Sequence, residues 1–282
     1  MKVGLVLEGG AMRGIYTAGV IDTLMKENIL VDGIIGVSAG ALFGMNYKSK
    51  QIGRVKRYNE NYIKDKNYFG FNSYLKTGNV MNEEFCFHKL INELDPVDFD
   101  EFKNNKVEFY VVVTNIENGN AEYIKINDLR NKDELEYLRA SGSMPFFSKI
   151  VNINNKKYLD GAIGDSIPLK KMKELGFDKL IVVLTRPKGY KKKKKLFKFG
   201  KFYYKDYPLF VKKINERYKN YNNEINYIEK EYKNNNIVVI RPSRLIKIKR
   251  IEKNIDKINE MYNLGVNDTL SMLDEIKVYL NK

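Results

Sequence analysis

The chain carries one cysteine, Cys86, and one histidine, His88, among its 282 residues. A lone thiol permits no internal disulfide and no cysteine-based zinc site, so a reducing compartment is the simpler expectation. A lone histidine leaves little for a Ser–His–Asp triad. His88 falls in Asn82 to Leu94, which reads as a helix, with Phe85, Leu90, Ile91 and Leu94 around it and no motif beside it. It reads as a structural residue.

Long apolar runs are also missing. Val-Gly-Leu-Val-Leu after Lys2 is cut by Glu8 and is too short for a signal peptide. Gly33 to Met45, the longest weakly polar run, contains Ser38 and falls short of the roughly 20 residues a membrane span needs. The expectation is a cytoplasmic protein, soluble or peripheral at the inner face of the membrane. No zinc-finger ligands, aromatic RNA-binding signature or clear helix-turn-helix occur, so nucleic acid is not expected as a partner. A P-loop Gly-Lys-Ser/Thr is absent, and Ala11 occupies the second glycine position of a dinucleotide-binding fingerprint. No cofactor and no metal are expected.

What is present suits a large globular core: 43% hydrophobic and 30% charged residues. The net charge of +15 is unevenly spread. Residues 1–187 hold 26 basic and 24 acidic side chains, whereas 188–282 hold 24 and 11. Lys188 to Lys201 has eight lysines and no acid, with Phe197, Phe199, Phe202, Tyr203 and Tyr204 in or just after it. Such a segment suits peripheral contact with an anionic membrane, where each surface lysine contributes about 1 kcal/mol and rings insert at headgroup level. A solvated loop is the plainer alternative.

Strand-like and helix-like segments alternate as in an α/β layered domain. Lys2 to Leu7 and Asp32 to Val37 read as strands, followed by helices at Arg13 to Asn28 and Ala39 to Tyr47. Val107 to Asn115 and Ala121 to Ile126 form a hairpin; Lys157 to Leu159 and Leu180 to Thr185 are further strands, with a helix at Leu169 to Leu175. Past Pro187 come a long helix from Val211 to Lys233, a strand at Ile237 to Arg241, and two closing helices, Lys249 to Tyr262 and Val266 to Leu280. The late strand implies that the last third packs on the same sheet. A core over 1–187 and a basic, mostly helical extension over 188–282 follow.

Gly36-Val37-Ser38-Ala39-Gly40 has a strand before it and a helix after it, the setting of a nucleophile elbow. With histidine scarce, a carboxylate is the candidate base. Asp160, at a strand end before Gly161, is first choice and Asp165 second. Glu8-Gly9-Gly10-Ala11-Met12-Arg13-Gly14 follows the first strand, and its small residues can aim backbone N–H groups into one cavity.

In this order, Gly9 to Gly14, Gly36 to Gly40 and Asp160-Gly161-Ala162 resemble the patatin-like phospholipase family. The likeness extends to Arg139 to Phe146, Asp165 to Pro168 and Leu184 to Tyr190, and is similar to the bacterial branch with its own C-terminal extension. It implies a layered α/β/α fold with a central, mostly parallel sheet. It also implies a metal-independent Ser–Asp dyad cleaving lipid carboxylic esters, of phospholipase A or lysophospholipase type. Ser38 would be the nucleophile, Asp160 the base, and Gly9, Gly10, Ala11 and Met12 the oxyanion hole. Arg13 would bind a lipid phosphate, or else organise the loop, for instance by pairing with Glu8. Ala11 stands where the family usually has glycine, so a backbone donor there calls for a negative φ. The competing readings are a soluble esterase for which the basic segment is irrelevant, and a non-catalytic membrane- or polyanion-binding protein on a hydrolase scaffold.

Overall fold

The computed structural model describes residues 1–195, 197 and 200–281, with the main chain alone at Lys201. Lys198 and Phe199 of the basic segment therefore lie outside the described residues. Eight strands form one sheet: β1 (Val3–Leu7), β2 (Gly33–Val37), β3 (Glu108–Asn115), β4 (Ala121–Lys125), β5 (Val151–Ile153), β6 (Lys156–Asp160), β7 (Lys179–Val183) and β8 (Val238–Ile240). Their order is β5-β6-β3-β2-β1-β7-β8, with β4 on β3. The centre, from β3 to β8, is parallel, and β4, β5 and β6 pair antiparallel.

Alternation along the central strands sends side chains into two cores. Leu5, Leu7, Ile34, Ile181 and Val183 face helices α1 (Ile15–Lys26) and α2 (Ala39–Lys48) and the helix Ile255–Ser271. Val6, Ile35, Val37, Leu180 and Val182 face the other way, onto Met172, Tyr221 and Ile228 of helices Leu169–Glu174 and Pro208–Lys233. The architecture is thus the layered α/β/α one, and strand β8 beside β7 joins the last third to the sheet.

Several helices fall outside the segments expected from the sequence, among them Arg54–Tyr62 and Phe71–Thr77. A third, Lys132–Gly142, has a readable start: Asn131 caps it by accepting from Asp133 N and Glu134 N. The closing helices also differ from expectation. Residues 249–254 are not helical, and one helix runs unbroken through Gly265 to Ser271 before a second spans Leu273–Asn281. Gly265 is a contact rather than a stop. A Cβ there would meet the Tyr16 carbonyl oxygen at 2.2 Å, and one on Gly19 of α1 would meet that of Tyr262 at 2.2 Å. The two helices touch through reciprocal glycines. Gly265→Ala is expected to destabilise the fold by about 1–3 kcal/mol through overpacking, seen as a lower urea midpoint; an unchanged midpoint would mean that the helices do not approach so closely.

Candidate active site

Ser38 sits at the turn between β2 and α2 with φ 54° and ψ −123°, a sparsely populated conformation for a residue with a side chain. The glycines on either side make this turn possible. A Cβ on Gly36 would lie 2.6 Å from the Cα of Ala41, and one on Gly40 would lie 2.5 Å from the Leu7 carbonyl oxygen. Any side chain at either position would push α2 away from β1 and β2.

Strand register brings the carboxylate to the serine. Val37 pairs with Val112 on β3, and the next β3 residue, Val113, pairs with Asp160 on β6. The Ser38 hydroxyl donates to Asp160 Oδ2 at 2.9 Å, and the other carboxylate oxygen accepts from Ala162 N at 2.9 Å. Both residues are almost fully buried, and burial pushes the Asp160 carboxyl above its ordinary range. Arg217 pulls it back in part. Desolvation makes this carboxylate a better proton acceptor than one in water.

Neighbours fix both partners. Ser38 N donates to Ser141 Oγ at 2.8 Å, Asp160 N to the Ser143 carbonyl at 2.9 Å, and Thr114 Oγ1 to the Asp160 carbonyl at 2.8 Å. Ser141 and Ser143 lie in the Arg139 to Phe146 stretch, but nothing in its residue types assigns them these positioning roles. Asp165 is held elsewhere, accepting from Tyr123 OH at 2.8 Å, and does not line the Ser38 pocket. His88 is exposed and also outside it.

The loop after β1 faces the same pocket with Gly9, Gly10 and Ala11. Met12 differs: its N–H is directed at the Arg250 carbonyl, 3.5 Å away. Glu8 accepts from Thr185 N at 2.5 Å and Thr185 Oγ1 at 3.0 Å, and it makes no ion pair with Arg13 among the described residues. Ala11 overturns the expectation of a negative φ, for its φ is 48°. The loop's curvature imposes the left-handed conformation whether or not a Cβ is present. Relief of that strain outweighs the extra freedom glycine has when unfolded, so Ala11→Gly should raise stability by up to about 1 kcal/mol. A lowered urea midpoint would contradict the left-handed assignment.

Two different environments meet at Ser38. One is a pocket with Arg13, Arg186, Lys192, Arg217 and Arg250 in its wall; the other is an apolar cavity with Leu42, Phe43, Tyr68, Met81 and Met144. Four of these, Leu42, Phe43, Tyr68 and Met81, also line a further apolar cavity reaching Leu90, Ile91 and Leu138. An ester at Ser38 would have polar space on one side and hydrocarbon-compatible space on the other. Among the described residues, no three His, Cys, Asp or Glu side chains are grouped to hold a metal.

Comparison with known proteins adds an independent line. The sequence model of a family described as patatin-like phospholipase matches residues 5–172, and one described as a domain of unknown function (DUF6363) matches 207–281. The chain is 29% identical over 193 residues to the uncharacterized protein YjjU of Escherichia coli, covering 66% of this chain and 52% of that one. It is 28% identical over 186 residues to lysophospholipase NTE1 of Meyerozyma guilliermondii, covering 64% of this chain and 12% of that one. The match thus spans about half of YjjU and a small part of NTE1. Among solved structures it is similar to VipD from Legionella pneumophila, at 12% identity and a TM-score of 0.45, over 97% of this chain and 67% of that one.

Proposed function

The chain belongs to the patatin-like phospholipase family, and on that premise we propose that it is a metal-independent serine acyl hydrolase of lipid carboxylic esters, of phospholipase A or lysophospholipase type. The observation that carries this reading is the Ser38 hydroxyl donating to Asp160 at 2.9 Å where a cationic pocket meets an apolar cavity. Ser38 Oγ attacks the ester carbonyl while Asp160 takes its proton. The N–H groups of Gly9 and Gly10 hold the oxyanion, and the protonated Asp160 then gives its proton to the leaving alcohol. Water, deprotonated by Asp160, then attacks the acyl carbon, and Asp160 returns that proton to Ser38 Oγ as the fatty acid leaves. Fatty-acid release from phospholipid vesicles and from a short nitrophenyl ester, with chelator present, tests the reading against a Ser38→Ala control.

We further propose that residues 1–187 form the catalytic unit and that 188–282 help to seat it at the inner face of the membrane from the cytoplasm. No helix among the described residues is long and apolar enough to cross a membrane. Surface features support a peripheral mode. Phe202 is 82% exposed, Phe71 and Leu75 are each 67% exposed, and Lys191 and Lys193 to Lys195 are exposed as well. Tyr74 packs edge-on against Phe147 and Tyr203 edge-on against Phe146, which links the helix bearing Phe71 and Leu75 to the chain beside Phe202 through adjacent rings. Phe202→Ser should lower activity on anionic vesicles about tenfold, since partial insertion of one ring is worth about 1.4 kcal/mol. Hydrolysis of the short soluble ester should not change. Equal loss on both substrates, or no loss with added salt, would argue for a soluble esterase.

A further inference from the structure

The chain has ten arginines. Six of them, Arg54, Arg57, Arg130, Arg139, Arg241 and Arg244, make ion pairs with carboxylates. The other four, Arg13, Arg186, Arg217 and Arg250, make none among the described residues, and all four line the pocket that opens on Ser38. Lys192 joins them there, also without an ion pair. These cations come from five separate places: the loop after β1, the chain after β7, the basic segment, the Pro208–Lys233 helix and the chain after β8. No local run of basic composition puts them together.

The carboxylates nearby do not neutralise them by contact. Glu8 is taken by Thr185, and Asp160 by Ser38 and Ala162. Glu224 accepts from Ser166 N, and burial and then Asp165 push its carboxyl up, toward the neutral form. The cations are instead steadied by neutral groups. Arg186 lies over the Tyr190 ring at 4.5 Å and Lys192 over the Tyr221 ring at 3.9 Å, while Arg217 Nε donates to the Ala162 carbonyl at 2.6 Å. Arg13 Nε is buried with no hydrogen-bond partner. Crowding has its electrostatic signature: burial and then Arg186 push Arg13 down to about 10, and burial and then Arg217 push Lys192 down to about 7. Arg13, Arg186, Lys192 and Arg217 are half-buried and Arg250 is exposed at the pocket rim, and unpaired cations that have lost this much solvent are costly unless an anion completes them.

We infer that the substrate is a lipid ester whose phosphate headgroup carries net negative charge, and that Arg13, Arg186, Lys192, Arg217 and Arg250 select it. This rests on the acyl-hydrolase reading and deepens it. The acyl chain would run into the apolar cavity from Ser38 while the phosphate meets the arginines, whose planar donors suit its oxygens. A choline headgroup would bring its own cation into the same field and be disfavoured.

The test uses three monoacyl lipids of one chain length, a glycerol phosphate, a glycerol phosphocholine and a plain glycerol ester, in neutral detergent micelles that remove surface-charge effects. Wild type should favour the phosphate over the phosphocholine in kcat/KM by about tenfold or more, the worth of one charge-assisted hydrogen bond. Arg186→Gln should lower that ratio about tenfold, Arg186→Lys should restore part of it, and Lys192→Gln provides a second variant at a half-buried position. A wild-type ratio near one, or a ratio unmoved by both Gln variants, overturns the inference while leaving the hydrolase reading intact. A binding arm with Ser38→Ala and ether-linked analogues separates the two readings. If wild type cleaves no ester but the ether phosphate binds about tenfold tighter than the ether phosphocholine, the hydrolase reading fails and the anion site stands. Equal binding of the two ethers overturns the inference. So does inorganic phosphate competing at the lipid's own concentration, which would assign the cations to free phosphate.

Discussion

Ser38→Ala should lower fatty-acid release by about four to six orders of magnitude with little change in KM, the behaviour of a nucleophile working as a unit with its base. Alanine keeps the main chain of the turn, and the Ser38 N–H to Ser141 bond does not involve the lost hydroxyl. The fold should therefore survive, with a urea midpoint near that of wild type. The oxyanion donors and both halves of the binding site also remain, so substrate still binds and a small residual rate over water persists. Adding Asp160→Asn should make matters no worse, because a base without its nucleophile has nothing to activate. A loss of only a few-fold, or a double variant clearly slower than the single, would remove Ser38 from the nucleophile's role and leave the chain closer to a lipid-binding scaffold.

The parts of the site legible in the sequence are those set by local geometry. Gly36 and Gly40 mark the elbow because the chain must pass close to Ala41 and Leu7 there, and a requirement that strict leaves a five-residue trace. Asp160 was legible through its glycine and through family likeness, while the cause of its placement, the Val112–Val113 register on β3, is a long-range pairing with no local pattern. The pocket cations were not legible. Arg217 is one polar residue on a long helix, and Lys192 is hidden in a lysine run whose neighbours face solvent although it turns onto Tyr221. Ala11 and the break expected between Tyr262 and Val266 differ from the structure for related reasons: in each the tertiary surroundings decide, for loop curvature drives φ positive at Ala11, and contact with α1 accompanies a helix that runs on through Gly265.

Asp160→Asn should separate activity from stability in opposite directions. Turnover should fall by about four orders of magnitude, since asparagine keeps the shape and the Ala162 bond but cannot take the serine proton. In wild type, the rate needs the carboxylate ionised, so the acid limb of kcat/KM should lie above the ordinary aspartate value of 3.8, because burial raises this group in the folded protein. A folded-state pKa above the unfolded one means that the native protein binds the proton more tightly. The strain of keeping Asp160 ionised is absent below the unfolded pKa, where both states are protonated, grows as pH rises to the folded pKa, and is complete above it. The Asn variant escapes this strain. Its urea midpoint should exceed that of wild type at pH 7–8, and the advantage should shrink as pH falls into the carboxylate range. The pull of Arg217 and Arg250 favours the charged form but does not reverse the effect of burial. A variant that is inactive and less stable at pH 8 would mean that the surrounding cations outweigh desolvation; Asp160 would then be held chiefly as their counter-charge, and the acid limb would move below the ordinary aspartate range.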